Sequence, residues 1–171
     1  MGIQWASEHG FEYIYWLNND AYLSEHTFES LVDAMQNDHT IAVAQSLILL
    51  PPITGLINTT GNQFHYLGFG YCNDYKTPVS ELKLEKIVDI SYASGAGMMI
   101  RSEFYEKFGG LDEDFFLYHE DTDYSFRHRL AGLRVVLVSD SIIFHKYDFS
   151  RSIQKYFWME RNRIWLQRST R

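Results

Sequence analysis

Two acidic stretches of this chain carry the residue types that handle metal ions, phosphates and protons. The first is Asn18-Asn19-Asp20, which abruptly ends an apolar run over residues 12–17. Open α/β sheets bind ligands at the carboxyl ends of their strands. A carboxylate placed there can hold Mg2+ or Mn2+, hard cations that favour oxygen, with phosphate oxygens completing the shell. The same three residues are also ordinary turn formers. The second stretch, residues 112–123, holds six acids: Asp112, Glu113, Asp114, Glu120, Asp121 and Asp123. One acid at a helix N-terminus gains roughly 0.3–1 kcal/mol from the dipole and needs no function. Six repel one another, and a metal or a cationic substrate group would relieve that repulsion. Phe115, Phe116, Leu117 and Tyr118 lie between them. Aromatic side chains beside a carboxylate can stack on a sugar face and hold a hydroxyl near a base. A hydrophobic staple leading into a capped helix accounts for the same residues.

Further residues join this set only conditionally. His145 ends an apolar strand. It is a ligand candidate only if it meets Asp20 in one cleft, and otherwise a structural histidine. His119 and His128 match no common zinc spacing. Arg161, beside Asn162, can bind a diphosphate bidentately, although a solvated helix face explains the pair as well.

The elements that must position these groups follow from patterning. Residues 2–9 read as the end of a helix stopped by Gly10. Residues 12–17 and 41–47 read as buried strands. Between them Ser24 is the expected N-cap of a helix whose Phe28, Leu31, Val32 and Met35 share one face. Strand, helix, strand implies a βαβ unit with a right-handed crossover. Residues 51–78 read as a loop excursion with a small hairpin (63–66 with 69–72), and the sequon Asn58-Thr59-Thr60 reads as chance. Residues 79–86 read as a surface turn and 87–92 as a strand. The small turn Ser94-Gly95-Ala96-Gly97 leads into a strand over 98–100. Ser102 caps a short helix ended by Gly109-Gly110, and a further helix over 121–131 is stopped by Gly132. Residues 135–138 and 142–144 read as two strands or as one interrupted strand. The last helix spans 151–168, with Ile153, Phe157, Ile164 and Trp165 as core positions.

Composition bounds the class. The chain has 171 residues, 46% apolar and 16% aromatic, which suits one packed α/β domain spanning residues 1–171. One cysteine, Cys72, excludes an internal disulfide. The net charge of −7 is uneven: residues 151–171 hold six basic residues against Glu160 alone. An acidic body argues against nucleic-acid binding. The basic, aromatic C-terminal helix suits peripheral contact with an anionic membrane. No signal peptide or spanning apolar run is visible, so a cytoplasmic location, with contact at the inner membrane face, is expected. Oligomeric state is not readable.

In order along the chain stand Leu17-Asn18-Asn19-Asp20, Ser94-Gly95-Ala96-Gly97-Met98-Met99-Ile100-Arg101, Phe108-Gly109-Gly110-Leu111-Asp112-Glu113-Asp114-Phe115-Phe116, Glu120-Asp121-x-Asp123, Arg127, Gly132, His145 and Arg161-Asn162. This series resembles family 2 glycosyltransferases of the GT-A fold, particularly the rhamnosyltransferase-like branch, over residues 2–165. The resemblance implies a mixed, mostly parallel sheet flanked by helices and an inverting sugar transfer. The sugar would pass from a nucleotide-diphosphate donor to a saccharide or lipid-linked acceptor in cell-surface polysaccharide synthesis. It implies Asp121 as general base and a divalent metal (Mg2+ or Mn2+) held by Asp20 and His145. Asn18, Asn19, Gly95, Ala96 and Arg161 fall on the donor side; Phe116, Tyr118, His119 and Glu120 fall on the acceptor side. The family begins with a strand–helix–strand–helix segment carrying an Asp that binds the nucleotide base, and since residue 1 falls just before the strand leading to Asn18-Asn19-Asp20, that segment is expected to be missing. The chain is therefore expected to be the C-terminal two-thirds of such a domain. A non-catalytic fragment or interaction module retaining the acceptor half is the competing expectation, and a metal-dependent hydrolase a third.

Overall fold

A computed structural model describes residues 2–50, 55–146 and 152–169. Pro51, Arg151 and Arg171, which the sequence reading placed in the loop excursion and the basic tail, lie outside the described residues. The elements run α1 (Gly2–Glu8), β1 (Tyr13–Leu17), β2 (Ala21–Leu23), α2 (Thr27–Asn37), β3 (Ile41–Leu49), β4 (Ile57–Thr59), β5 (Asn62–Phe64), β6 (Gly70–Cys72), β7 (Ile87–Asp89), β8 (Gly97–Arg101), α3 (Ser102–Phe108), α4 (Glu120–Leu130), β9 (Arg134–His145) and α5 (Ile153–Ser169).

The main sheet has the order β1-β8-β3-β9-β2, with β4 also paired to β3 and β7 to β9. β3 is buried at every position. α2 covers one face through Leu31 and Met35, which meet Ile41, Ala44, Val136 and Val138. On the other face Val43, Leu47, Met98, Ile100 and Leu137 pack with Tyr124 of α4. A strand covered on both sides reads as a continuous apolar run, which is why 41–47 was legible.

The α/β class holds, while the pairing differs from expectation. Among the described pairings only β3–β9 is parallel. β1 and β3 do not neighbour each other as a simple βαβ unit would have them, because β8 inserts antiparallel between them. β1 thus ends the hydrogen-bonded path, and its five residues are half-buried rather than buried. Of the two readings for 135–138 and 142–144, the single strand holds: both lie in β9, whose register against β3 slips between Ser46 and Leu47. Ser24 is not the cap of α2. The helix begins at Thr27, whose hydroxyl bonds the Ser24 carbonyl at 3.0 Å and the Ile142 carbonyl at 2.7 Å, so the serine turn is welded to β9 instead. Asn58 of the sequon is buried.

Buried polar groups tie the layers together. The Tyr15 hydroxyl meets Ser46 at 2.8 Å, Ser46 meets Ser141 at 2.8 Å, and Ser141 donates to the Thr27 carbonyl at 2.9 Å. Arg101 is buried and donates to the Met35 carbonyl at the end of α2 at 2.5 Å, beneath the Tyr13 ring. Gly97 has no room for a side chain: a Cβ would lie 2.2 Å from Ile143 Cδ1 and 2.8 Å from the Tyr15 hydroxyl.

α5 reverses its expected orientation. Ile153 is 91% exposed, and Phe157, Ile164 and Trp165 are exposed as well. The face turned inward carries Asn162 and Leu166, at 0% and 1%. Periodicity says which residues share a face. It does not say which way the face points, and here a polar residue with waiting carbonyls takes the interior.

Candidate active site

The turn at residues 94–97 joins two clusters. On one side its Ala96 carbonyl accepts the Asn18 N–H at 3.2 Å. Asn18 and Asp20 sit at the end of β1 and the start of β2, and β2 pairs with the last residues of β9, Ala21 opposite His145. That register brings the two expected metal ligands together: His145 Nε2 lies 3.1 Å from Asp20 Oδ1 and 3.5 Å from Asn18 Nδ2. His145 is buried and Asp20 half exposed. One carboxylate and one imidazole at this spacing fit part of a divalent-ion shell, whose remaining positions would need other ligands. Among the described residues no group of three or more His, Cys, Asp or Glu side chains forms a metal cage.

On the other side of the turn, the Gly95 N–H donates to Asp121 Oδ2 at 2.9 Å, while Asp121 Oδ1 accepts from the Thr122 N–H at 2.7 Å and its hydroxyl at 3.2 Å. Asp121 therefore stands on the first turn of α4 with both oxygens aimed by N–H donors. It lines a cavity of about 240 Å³. Tyr118, His119 and Glu120 line it too, with Tyr92, Phe69 of the β5–β6 hairpin, and Lys155 and Arg163 of α5. Phe69, Lys155 and Arg163 are not visible in the sequence as lining residues, because hairpin and α5 reach the cavity only through long-range packing. Phe116 does not join them: it is exposed and rests on Trp158 with ring centroids 5.0 Å apart.

The two adjacent carboxyls have unlike surroundings. Burial raises Asp121 above the ordinary carboxylate range, and the Gly95 and Thr122 N–H groups pull it back. Burial, followed by the Asp121 charge, pushes Glu120 up to about 7. Glu120 Oε2 is buried and has no hydrogen-bond partner among the described residues. Asp121, with donors on both oxygens, is the better placed of the two to carry negative charge, and Glu120, whose carboxyl has its own backbone N–H as donor, is the better placed to hold a proton. Burial lowers His119, leaving a neutral ring beside them. Cys72 also faces the cavity, its thiol pushed up by burial.

The loop before α4 is held from both ends. Arg127 pairs with Asp123 at 2.8 Å and donates to the carbonyls of Phe108 at 2.8 Å and Gly110 at 2.6 Å. This accounts for the Gly-Gly motif, Asp123 and Arg127 as fold devices. Arg161 donates to the Asp114 carbonyl at 2.5 Å and stacks over Trp158, so its guanidinium lies against the acidic loop and not in the Asp20–His145 cluster. Asn162, read from the sequence as part of a solvated helix face, is instead fully buried. Its Nδ2 lies 2.7 Å from each of the Phe115, Leu117 and Tyr118 carbonyls. The loop needs such restraint: Phe116, Tyr118 and His119 have φ of 58°, 68° and 69°, values that disfavour side-chain-bearing residues by of order 1–3 kcal/mol each.

Comparison with known proteins fits this arrangement. No curated protein matches the chain. Among solved structures it is similar to "Crystal structure of GalNAc-T7 with UDP, GalNAc and Mn2+", with 16% identity and a TM-score of 0.65 over 85% of this chain and 30% of that one. It thus spans under a third of that protein's length. It is also similar to "Crystal Structure of A197 from STIV", with 16% identity, a TM-score of 0.46 and coverage of 88% and 75%. The first likeness is one of fold, a central sheet flanked by helices as in GT-A glycosyltransferases. The family described as "Glycosyl transferase family group 2" matches residues 13–168, nearly the whole chain, and the chain belongs to that glycosyltransferase family.

Proposed function

We propose that the cavity beside α4 receives a saccharide or lipid-linked acceptor and that Asp121 is the base of an inverting sugar transfer from a nucleotide-diphosphate donor. The observation that carries this reading is the Asp121 carboxylate, oriented by Gly95 and Thr122 inside a cavity with aromatic walls. An acceptor hydroxyl is a weak nucleophile at neutral pH. Asp121 takes its proton as the hydroxyl oxygen bonds to the anomeric carbon and the bond to the leaving diphosphate breaks. Glu120, keeping its own proton, donates a hydrogen bond to a neighbouring acceptor oxygen. Tyr118 and Phe69 offer faces for the sugar ring.

Asp20 and His145, with Asn18 beside them, are the residues that would hold a divalent ion, and such an ion stabilises negative charge on a departing diphosphate. The motif order supports the rhamnosyltransferase-like branch and a role in cell-surface polysaccharide synthesis. The outward apolar face of α5, flanked by Lys155, Arg161 and Arg163, supports contact with an anionic bilayer that supplies a lipid-linked acceptor.

Asp121→Asn tests the base. With a panel of nucleotide-diphosphate sugars and Mn2+, transfer by the variant is expected to fall about 10²–10⁴-fold. Donor affinity, read by calorimetry, should stay unchanged. Near-normal turnover by the variant would remove Asp121 from the mechanism.

A further inference from the structure

We infer that Asn162 is a positioning residue for the acid pair: from α5 its amide fixes the loop at residues 115–118 and so sets where α4 begins and where Asp121 points. The inference rests on Asp121 acting as the base, and it deepens that reading.

Three observations converge. The Asn162 side chain is fully buried, on the helix face opposite exposed Ile153 and Ile164. Its nitrogen sits 2.7 Å from three carbonyls that span four residues of chain. The orientation of the amide follows from those partners, since an oxygen turned toward three carbonyls would meet only acceptors. The loop it holds has three non-glycine residues at positive φ, Phe116, Tyr118 and His119. Such a loop persists only where its surroundings over-determine it.

The restraint is transmitted directly. The last clamped carbonyl, of Tyr118, is one residue before His119, whose own carbonyl accepts the Asp123 N–H at 2.8 Å and starts α4. Asp121 lies within that first turn. Buried Phe115 anchors the near end of the loop, and Arg161, the neighbour of Asn162, holds Asp114. The hydrogen bonds of Asn162 go to the loop carbonyls of Phe115, Leu117 and Tyr118, on the Asp121 side, so its effect should fall on the acceptor side.

The test uses Asn162→Asp, which keeps the shape and removes the amide donor, and Asn162→Ser, which keeps one donor. Amide hydrogen exchange at residues 115–123 is compared with that of α2 as an internal reference. In Asn162→Asp it should rise at least tenfold while α2 is unchanged, with Asn162→Ser in between. In transfer assays kcat should fall tenfold or more, with donor KM within twofold of wild type and the acidic limb of the pH profile displaced. Faster exchange with kcat and pH profile unmoved would make Asn162 merely structural and overturn the inference. Unchanged exchange in both variants would overturn it as well. If the wild-type protein transfers no sugar, the functional reading fails, and the exchange data alone then decide whether the clamp exists. Should Asn162→Asp fail to fold, Asn162→Ser gives the same readouts.

Discussion

At the scale of single residues the site depends on two neighbouring carboxyls made unlike by their surroundings. Asp121 has N–H donors on both oxygens; Glu120 has one buried oxygen with no donor among the described residues. Glu120 is held at about 7 in the folded chain, above the usual carboxylate value, first by burial and then by Asp121. A carboxyl raised in this way favours the folded state fully below about pH 4.5, and its contribution is lost as pH rises through 7. Thermal unfolding followed from pH 4.5 to 8 should therefore show wild type losing on the order of 2 kcal/mol that Glu120→Gln does not lose. Parallel curves for the two proteins would mean Glu120 ionises normally. Much of this placement is legible in the sequence. Asp121 stood at a helix start after an aromatic run, and Asp20 and His145 were joined on the condition that they meet, which the β2–β9 register satisfies. Asn162 was not legible. Nothing local distinguishes an asparagine on a basic helix from one that faces a loop of carbonyls 44–47 residues away in sequence.

At the scale of elements, the strands announced themselves and their neighbours did not. β3 reads as buried because both its faces are covered, but the insertion of β8 between β1 and β3 is a long-range pairing that no local pattern encodes. α5 is the sharper lesson. Ile153, Phe157 and Ile164 recur at helical spacing like a core stripe, yet they face out while Leu166 and Asn162 face in. The two faces should respond oppositely to truncation. Leu166→Ala leaves a hole in packed surroundings and should destabilise by about 2–5 kcal/mol. Phe157→Ser, on the open face, should stay within about 0.5 kcal/mol. Denaturant melts of the two variants check this, and equal losses would mean the open face is covered.

For the whole molecule, the outward apolar face of α5 continues toward the tip of the β5–β6 hairpin. There Arg163 donates to the Leu67 carbonyl at 2.8 Å, and Tyr66 and Leu67 are exposed. Among the described residues no helix is long and apolar enough to cross a membrane; the contact proposed above is through this outward face. Flotation with anionic liposomes at low salt should carry the protein. The combined substitution Ile153→Ser, Phe157→Ser and Ile164→Ser should abolish that binding, and zwitterionic liposomes should bind weakly. Absence of flotation on either lipid would end the membrane proposal. The turn at residues 94–97 has a consequence at this same scale. It holds Asn18 through Ala96 and Asp121 through Gly95, so one short segment has a hand on each cluster. Two sites that share a mechanical part are thermodynamic partners: whatever factor the occupied Asp20 side adds to affinity on the Asp121 side must be returned in equal measure. Reciprocity of that kind would appear as substrate synergy, each substrate lowering the dissociation constant of the other by one common ratio.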